Sequence, residues 1–174
     1  ERDGDLRWAI GAGGPADDFA RGVTTTPGGD IVVTGTFEDY AVFTPPGIEP
    51  SVEVRAASEI DRDIFIARYD GNGTVEWARR ATGIDIDDGL SIGAFLDGSV
   101  IVAGSFFDAV TFAPDTPAET TIMADTILHR DAFIARYDRD GGFDWVRHLE
   151  GIDDDEVAAV ATIAGGSFVV GGTF

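Results

Sequence analysis

The sequence predicts an all-β protein built from repeats of a small antiparallel sheet. Trp8, Trp77 and Trp145 each follow a short glycine turn and recur at nearly equal intervals along the chain. Repetition of this kind is typical of stacked modules. No stretch shows a sustained helical period, and 23 glycines with 7 prolines suit frequent tight turns.

Each tryptophan ends a block made of a turn and a strand, at residues 3–8, 72–77 and 140–145. The Asp-Gly and Asn-Gly pairs in these blocks lie between alternating apolar residues, which predicts a β-hairpin. We expect a type I′ turn, which needs a positive φ at both central positions and therefore favours these pairs.

Two further blocks recur. An apolar run that begins with a glycine turn occurs three times, at residues 28–37, 97–106 and 165–174. A strand ending in Phe-Ile-Ala-Arg-Tyr-Asp occurs twice, at residues 63–70 and 131–138. A weaker match, of residues 39–45 with 108–114, precedes the β-prone stretches 51–57 and 119–125 and predicts an extra, less buried hairpin.

One repeat is thus predicted to form a four-stranded sheet, with strands at residues 63–69, 74–81, 90–95 and 99–106, plus the extra hairpin. The strands are apolar on both faces, which is expected when similar sheets cover each other. A β-propeller is the best fit, with roughly two and a half to three repeats in the chain. The repeats are placed at 1–44 (partial), 45–112 and 113–174. Gly35, Gly104 and Gly172 are expected where strands crowd together.

With these motifs the chain resembles the bacterial β-propeller repeat family labelled SBBP. The resemblance rests on residues 131–138, on the turn and tryptophan of 140–145, and on the ending Gly-Ser-Phe-Val-Val-Gly-Gly-Thr-Phe at 166–174. It implies a propeller fold and no shared catalytic residues. The repeats here are longer than the usual blade of about 40–50 residues, and Arg68 and Arg136 stand where lysine is commoner.

The small number of repeats predicts a module that packs against other copies of itself or against flanking repeats, because a propeller generally needs four to eight blades. We expect a non-enzymatic scaffold, adhesin or self-assembling subunit that is secreted or lies on the bacterial cell surface. The alternative is a Ca²⁺- or polysaccharide-binding propeller domain of a larger extracellular protein.

Charge and composition restrict the partners. The net charge is −20, and all 12 basic residues are arginine. Long-range repulsion therefore disfavours nucleic acid and anionic membrane surfaces. There is no cysteine, and no apolar run approaches the ~20 residues of a membrane-spanning helix, so no membrane insertion is expected.

Acidic residues recur in the loop after each tryptophan strand, and Asp18, Asp87 and Asp155 are equivalent positions. Oxygen-rich loops suit Ca²⁺, which takes six to eight oxygen ligands. The alternative is that each aspartate caps a turn by accepting backbone hydrogen bonds. Further acidic candidates for the same Ca²⁺ sites lie nearby: Asp85, Asp88, Asp153 and Glu156.

The remaining candidates favour structural roles. His129 and His148 show no zinc spacing and no nucleophile elbow accompanies them, so these histidines and the turn at 45–47 are the only basis for an enzyme. Arg68 and Arg136 are expected to clamp modules together by pairing with carboxylates such as Asp63, Asp131 or the loop acids. The three tryptophans are expected to pack between modules, with sugar stacking as the alternative.

Overall fold

The computed structural model describes residues 4–45, 47–48 and 50–174. Asp3 of the first turn and Pro46 of the turn at 45–47 lie outside the described residues. The described part forms an all-β fold, as predicted, and within it no helix is long and apolar enough to cross a membrane. Its strands are β1 (Asp18–Thr25), β2 (Ile31–Glu38), β3 (Tyr40–Val42), β4 (Glu53–Arg55), β5 (Arg62–Tyr69), β6 (Val75–Gly83), β7 (Asp88–Ala94), β8 (Val100–Phe106), β9 (Ala109–Phe112), β10 (Thr120–Met123), β11 (Asp131–Tyr137), β12 (Phe143–Leu149), β13 (Glu156–Ile163) and β14 (Ser167–Thr173).

Two sheets contain the same four-stranded antiparallel unit. The strand order is β1-β2-β5-β6 in the first sheet and β7-β8-β11-β12 in the second. The third sheet, β13-β14, corresponds to the first two strands of this unit. We call each of these sheets, with the hairpin that packs on its face, a module. The four strands predicted for one repeat do not share a sheet, because β5 and β6 pair in the first sheet and β7 and β8 pair in the second. None of the sheets in the described part of the chain closes into a barrel.

The second and third of the predicted turns, at residues 71–73 and 139–141, form hairpins where the sequence places them but are not type I′. The strand predicted to end at Trp8 is not present, since residues 4–12 contain no strand. Gly73 and Gly141 have positive φ values of 87° and 79°, whereas Asn72 and Asp140 are not among the residues with positive φ. The Asp70 N–H donates to the carbonyl of Thr74, so three residues form the loop. A bulge in the strand pairing follows at Arg68/Tyr69. Three-residue loops with one left-handed glycine and a bulge are the next most common hairpin solution.

The extra hairpin formed by β9 and β10 pairs with the edge of the first sheet. β9 pairs with β6, in the register Ala81↔Phe112, Thr82↔Thr111 and Gly83↔Val110, and β10 extends the sheet further. The prediction that this hairpin is less buried is wrong for β9. Val110 and Phe112 are almost completely buried, because β9 lies between the edge of the first sheet and the face of the second.

The sheets cover each other through alternating side chains. In β8, Val100 and Val102 pack in the core shared with the first sheet, while Ile101 and Ala103 pack in the core shared with the third sheet. Successive side chains of a strand point to opposite faces. This alternation explains why the strands are apolar at consecutive positions.

Gly104 sits where three strands approach closely. A Cβ at Gly104 would lie 1.8 Å from the carbonyl oxygen of Asp88 in β7 and 3.1 Å from the ring of Phe133 in β11. The pairing of β7 with β8 contains a bulge between Gly89 and Ser91, next to this carbonyl. Gly35 has the same two kinds of neighbour in the first sheet. Glycine is required at both positions because any side chain would meet backbone on one side.

We expect Gly104→Ala to lower the free energy of unfolding by about 3 kcal/mol or more, at the upper end of the range for overpacking, because the backbone of β7 cannot move aside as a side chain can. Gly171→Ala, in the equivalent part of the third sheet, is the matched control, since a Cβ there has no neighbour within 4 Å. Urea unfolding followed by circular dichroism measures both. Equal midpoints for the two variants would contradict this account of Gly104.

Candidate functional site at the open ends of the sheet array

Within the described residues, the third sheet ends at an open strand edge. β2 and β8, which occupy the position of β14 in the first and second sheets, each pair with a strand on both sides. β14 pairs with β13 alone. The outer edge of β14 therefore presents backbone donors and acceptors that a further strand can pair with.

Side chains of β14, and of Phe174 directly after it, are exposed where their counterparts in β8 are buried. Val169 is 53% exposed, whereas the equivalent Ile101 is completely buried in the core between the second and third sheets. Phe174 is 66% exposed, whereas the equivalent Phe106 is completely buried and contacts the ring of His148 in β12. The open edge is thus also an apolar surface.

The opposite end of the array carries a second apolar surface. The outer face of the first sheet is partly covered by the β3–β4 hairpin, through Ala41, Phe43 and Val54. A cleft of about 400 Å³ remains beside this hairpin. Residues lining the cleft include Trp8, Ile10, Phe19, Val33, Phe43 and Tyr69.

Trp8 and Trp77 each lie on the turn of the following module. The indole N–H of Trp8 donates to the carbonyl of Gly71, and that of Trp77 donates to the carbonyl of Arg139, both at 3.2 Å. Trp77 is buried, and its ring lies close to Gly141. Trp145 stacks on Phe168 of the third sheet, with ring centroids 6.4 Å apart. The tryptophan faces are therefore used in contacts between modules.

Arg68 joins the first module to the second. Its buried guanidinium pairs with Asp30, and with Glu76 at 2.8 Å. It also donates to the carbonyls of Gly98, at 3.1 Å, and Arg139, at 2.9 Å, which lie in two turns of the second module. The fork of donors on one arginine thus holds both modules at once.

Arg136, the equivalent residue in the second module, is about one third exposed. It pairs with Asp97 at 3.1 Å and Asp144 at 3.5 Å, and its guanidinium lies 5.0 Å from the centre of the Phe95 ring. The Arg139 carbonyl that Arg68 contacts has no counterpart for Arg136 among the described residues. The partners of Arg136 named here all lie in the second module.

The carboxylates that pair with these arginines are not Asp63 and Asp131, which were two of the expected partners. Asp63 accepts hydrogen bonds from the backbone N–H groups of Ala57, at 2.5 Å, and Gly83, at 2.8 Å. Asp131 accepts from the Asp125 N–H and contacts His148 Nε2 at 2.6 Å. These aspartates lie at the end of the strand opposite the arginines, so they hold loops rather than the arginine side chains.

Asp18, Asp87 and Asp155 are placed at equivalent positions, one per module. The side chain of Asp18 accepts a hydrogen bond from the Gly14 N–H at 2.7 Å. The backbone N–H groups of Asp87 and Asp155 donate to the carbonyls of Arg62 and Arg130, respectively, both at 2.8 Å. Each aspartate therefore takes part in closing its loop.

The nearby acidic residues are dispersed. Asp88 pairs with Arg130 at 3.1 Å, and Asp85 accepts from the neighbouring Ile86 N–H. Asp85 and Asp153 are exposed, whereas Glu156 is half-buried at the start of β13. In the described part of the chain, no three histidine or acidic side chains are grouped in a way that could hold a metal ion.

Asp63 and Asp87 are buried near each other at the junction of the first two modules. Burial is the main cause that raises the pKa of Asp63 to about 6, although its two backbone hydrogen bonds oppose the rise. Burial also raises the pKa of Asp87 well above its usual range, and the charge of Asp63 adds to this. Both carboxyl groups thus resist ionisation in the folded chain.

The two histidines have separate partners. His148 contacts Asp131, and His129 Nδ1 lies 3.6 Å from Asp154. Neither contact includes a serine or threonine hydroxyl. The position of His148 corresponds to Arg80 in the first module, which pairs with Asp115 at 2.6 Å.

No protein-family model matches the chain. The chain is similar to the Regulatory protein FlaEY of Caulobacter vibrioides, with 33% identity over 112 residues. The match covers 64% of this chain and 11% of that protein's length. It is longer than the interval between Trp8 and Trp77, so the similarity includes more than a single module.

We expect the free energy of unfolding to fall as the pH rises from about 4 through 6. A carboxyl group whose pKa is higher in the folded chain binds its proton more tightly there, so deprotonation favours unfolding. Asp87→Asn removes this charge with little change in shape. We expect it to raise the melting temperature at pH 8 by a few degrees, which corresponds to about 1 kcal/mol in a chain of this length, and to have little effect at pH 4.

Asp85→Asn is the matched control, because Asp85 is exposed in the same loop. Differential scanning calorimetry between pH 4 and pH 8 gives the comparison. If Asp87→Asn loses more stability at pH 8 than at pH 4, the buried carboxylate stabilises the fold and this interpretation is wrong.

Proposed function

We propose that this chain is a non-enzymatic structural module of a β-propeller-type array, which acts by packing against further repeats of its own kind. The supporting observation is the two-stranded third sheet, in which Val169 of β14 and the following Phe174 are exposed although their counterparts in the second sheet are fully buried. Such a module serves as a scaffold, an adhesin or a self-assembling subunit.

The order of the strands supports a propeller-type arrangement. Each sheet begins with a strand, β1, β7 or β13, that contacts the neighbouring sheet, and the chain then runs outward through antiparallel neighbours. Sheets of this kind arranged around an axis form a propeller, which generally has four to eight blades. The described residues contain three sheets of this kind.

The exposed side chains make association favourable. Burying a valine or phenylalanine side chain contributes about 1.5–3 kcal/mol, and the outer edge of β14 adds unpaired backbone groups. Edge strands of this type readily pair with another chain. A neighbouring repeat would cover both the side chains and the backbone edge.

The recurring polar residues support a structural rather than a catalytic role. Arg68 holds two turns of the next module, and Trp77 donates to the same turn region. These residues recur because each junction between modules must be built again. We propose that the module is secreted or lies on the bacterial cell surface.

The similarity to Regulatory protein FlaEY fits a module that occurs within a longer protein. The 112 matched residues are 11% of that protein, whose name describes a regulatory role. A packing module would contribute to such a role as an interaction surface.

Calcium binding is the second candidate, and its support is the buried pair Asp63 and Asp87, whose repulsion a cation would relieve. The structural role has more support, because Asp18 and Asp63 already accept backbone hydrogen bonds. Polysaccharide stacking would require free tryptophan faces, whereas Trp77 is buried between modules.

We expect Ca²⁺ at millimolar concentration, or its removal with a chelator, to leave the melting temperature nearly unchanged, because the acidic loops are held by their own backbone contacts. Mg²⁺ at equal ionic strength controls for screening of the net charge of −20. A rise of several degrees that is specific to Ca²⁺, and that Asp87→Asn abolishes, would favour the calcium alternative.

We expect the 174-residue chain to self-associate at micromolar concentration, with a mean mass in light scattering that rises with concentration. Val169→Asp should shift this association to at least about tenfold higher concentration, which corresponds to about 1.4 kcal/mol, without lowering the melting temperature. Val169 is exposed on the open sheet, so the change removes an apolar contact and no core residue.

Ile60→Asp is the matched control, because Ile60 is exposed in the bend before β5 of the first sheet, whereas β14 lies in the third sheet, and the variant has the same net charge. Ile101→Asp, at the buried equivalent of Val169, should instead unfold the chain. A wild-type chain that stays a monodisperse monomer at all concentrations would overturn the proposed function.

A further inference from the structure

The extra hairpin of one module pairs with the outer strand of the preceding module at two places. Thr82 of β6 lies opposite Thr111 of β9. Gly13 and Val42 form the same pair one repeat earlier: the Gly13 N–H donates to the Val42 carbonyl at 3.1 Å, and the Val42 N–H donates to the Gly13 carbonyl at 3.0 Å. The contact therefore belongs to the repeat.

The other side of the hairpin contacts its own module in the same repeated way. Phe112 packs on Phe133 with ring centroids 5.1 Å apart, and Phe43 packs on Phe65 at 5.2 Å. Each hairpin thus bridges the edge of one sheet and the face of the next. A module that contains its extra hairpin is therefore joined to the preceding module by backbone pairing.

The start and end of the hairpin also recur. Asp39 and Asp108 have positive φ values of 58° and 52° at the first turn. Their carbonyls accept hydrogen bonds from Ala56, at 2.7 Å, and Ala124, at 2.6 Å, which close the base of each hairpin. The two hairpins therefore share a recognisable pattern. Each begins with an aspartate of positive φ, and an aromatic residue follows four positions later.

The third edge is present and open. The residues of β12 and its end that correspond to Ala81, Thr82 and Gly83 are Leu149, Glu150 and Gly151. Within the described residues, β12 pairs with β11 alone, and both Glu150 and Gly151 are exposed. An unpaired edge that two equivalent strands use for a hairpin is a site for strand addition.

A glycine stands at the equivalent position of all three edges, as Gly14, Gly83 and Gly151. A Cβ at Gly14 would lie 1.8 Å from the carbonyl oxygen of Tyr40, and a Cβ at Gly83 would lie 2.4 Å from that of Ala109. Both carbonyls belong to the first strand of the docked hairpin. Gly151 stands at the corresponding place beside β12, where a hairpin carbonyl would approach in the same way.

We propose that the outer edge of β12, from Leu149 to Gly151, is the docking site for the extra hairpin of the repeat that completes the third sheet. The inference rests on the proposed function, because it takes a neighbouring repeat as the partner. It adds a second contact to that partner. One hairpin adds to β14, as β5–β6 adds to β2, and the other adds to β12, as β9–β10 adds to β6.

The test extends the full chain by a copy of residues 107–151 placed directly after Phe174, since residue 107 follows the equivalent Phe106. A second extended chain has residues 108–124 of the copy replaced by a short Gly-Ser linker. Amide hydrogen exchange is measured by NMR at Glu150 and along β14, with Thr82 as the internal reference for a paired edge.

We expect the Glu150 amide to exchange roughly 100-fold more slowly in the chain with the hairpin than in the chain with the linker, since exchange then requires local opening of a paired edge. The outward-facing amides of β14 should be protected in both. Protection of β14 without protection of Glu150 would overturn the docking site alone. Lack of protection at β14 in both chains would overturn the proposed completion of the third sheet.

A measurement on the 174-residue chain itself covers the case in which an extended chain does not fold. A peptide of residues 107–124 should shift the amide signals of Glu150 and Gly151 in a saturable manner at millimolar concentration. The matched peptide with Thr111→Pro lacks the backbone N–H that pairs with the edge and should not shift them. No shift with either peptide would contradict the proposal.

Discussion

The structure depends on the requirement that both faces of every sheet be covered. Val100 and Val102 of β8 point to one neighbouring sheet, and Ile101 and Ala103 point to the other. A sheet that is apolar on both sides cannot bury itself, so it is stable only between two similar sheets. The second sheet meets this requirement within the chain. The third sheet meets it on one face only, and the outer face of the first sheet is covered in part by the β3–β4 hairpin.

The extra hairpin couples modules in a second way. In a simple stack, neighbouring sheets are held by side-chain packing alone. Here the pairing of β9 with β6 adds backbone hydrogen bonds across the junction, and Arg68 adds hydrogen bonds to two turns of the next module. Stability is therefore concentrated at the junctions, and a module on its own loses both its core and its edge partner.

The sequence is sufficient to predict the strands but not where the extra hairpin binds. Alternation and turn residues predict β5, β6, β7 and β8 within a few residues, because these signals are local. The destination of β9 depends on β6, which is distant in the sequence, and it has no local signal. The identity of the carboxylates that pair with Arg68 has no local signal either, since Asp30 and Glu76 become its neighbours only once the sheet forms. The candidate edges at β12 and β14 could be found only by comparing each residue with its counterpart.

The pairing of β9 with β6 has a consequence for synthesis on the ribosome. The first sheet acquires its β9 neighbour only after residue 112 has emerged, and Arg68 finds its second carbonyl only with residue 139. During translation each sheet therefore first forms without all of its pairing partners. These partners become available only after a large part of the next repeat has been synthesised. A pause in elongation between residues 83 and 112 would leave β6 without its final neighbour, so codon-dependent timing there should influence the yield of correctly folded protein.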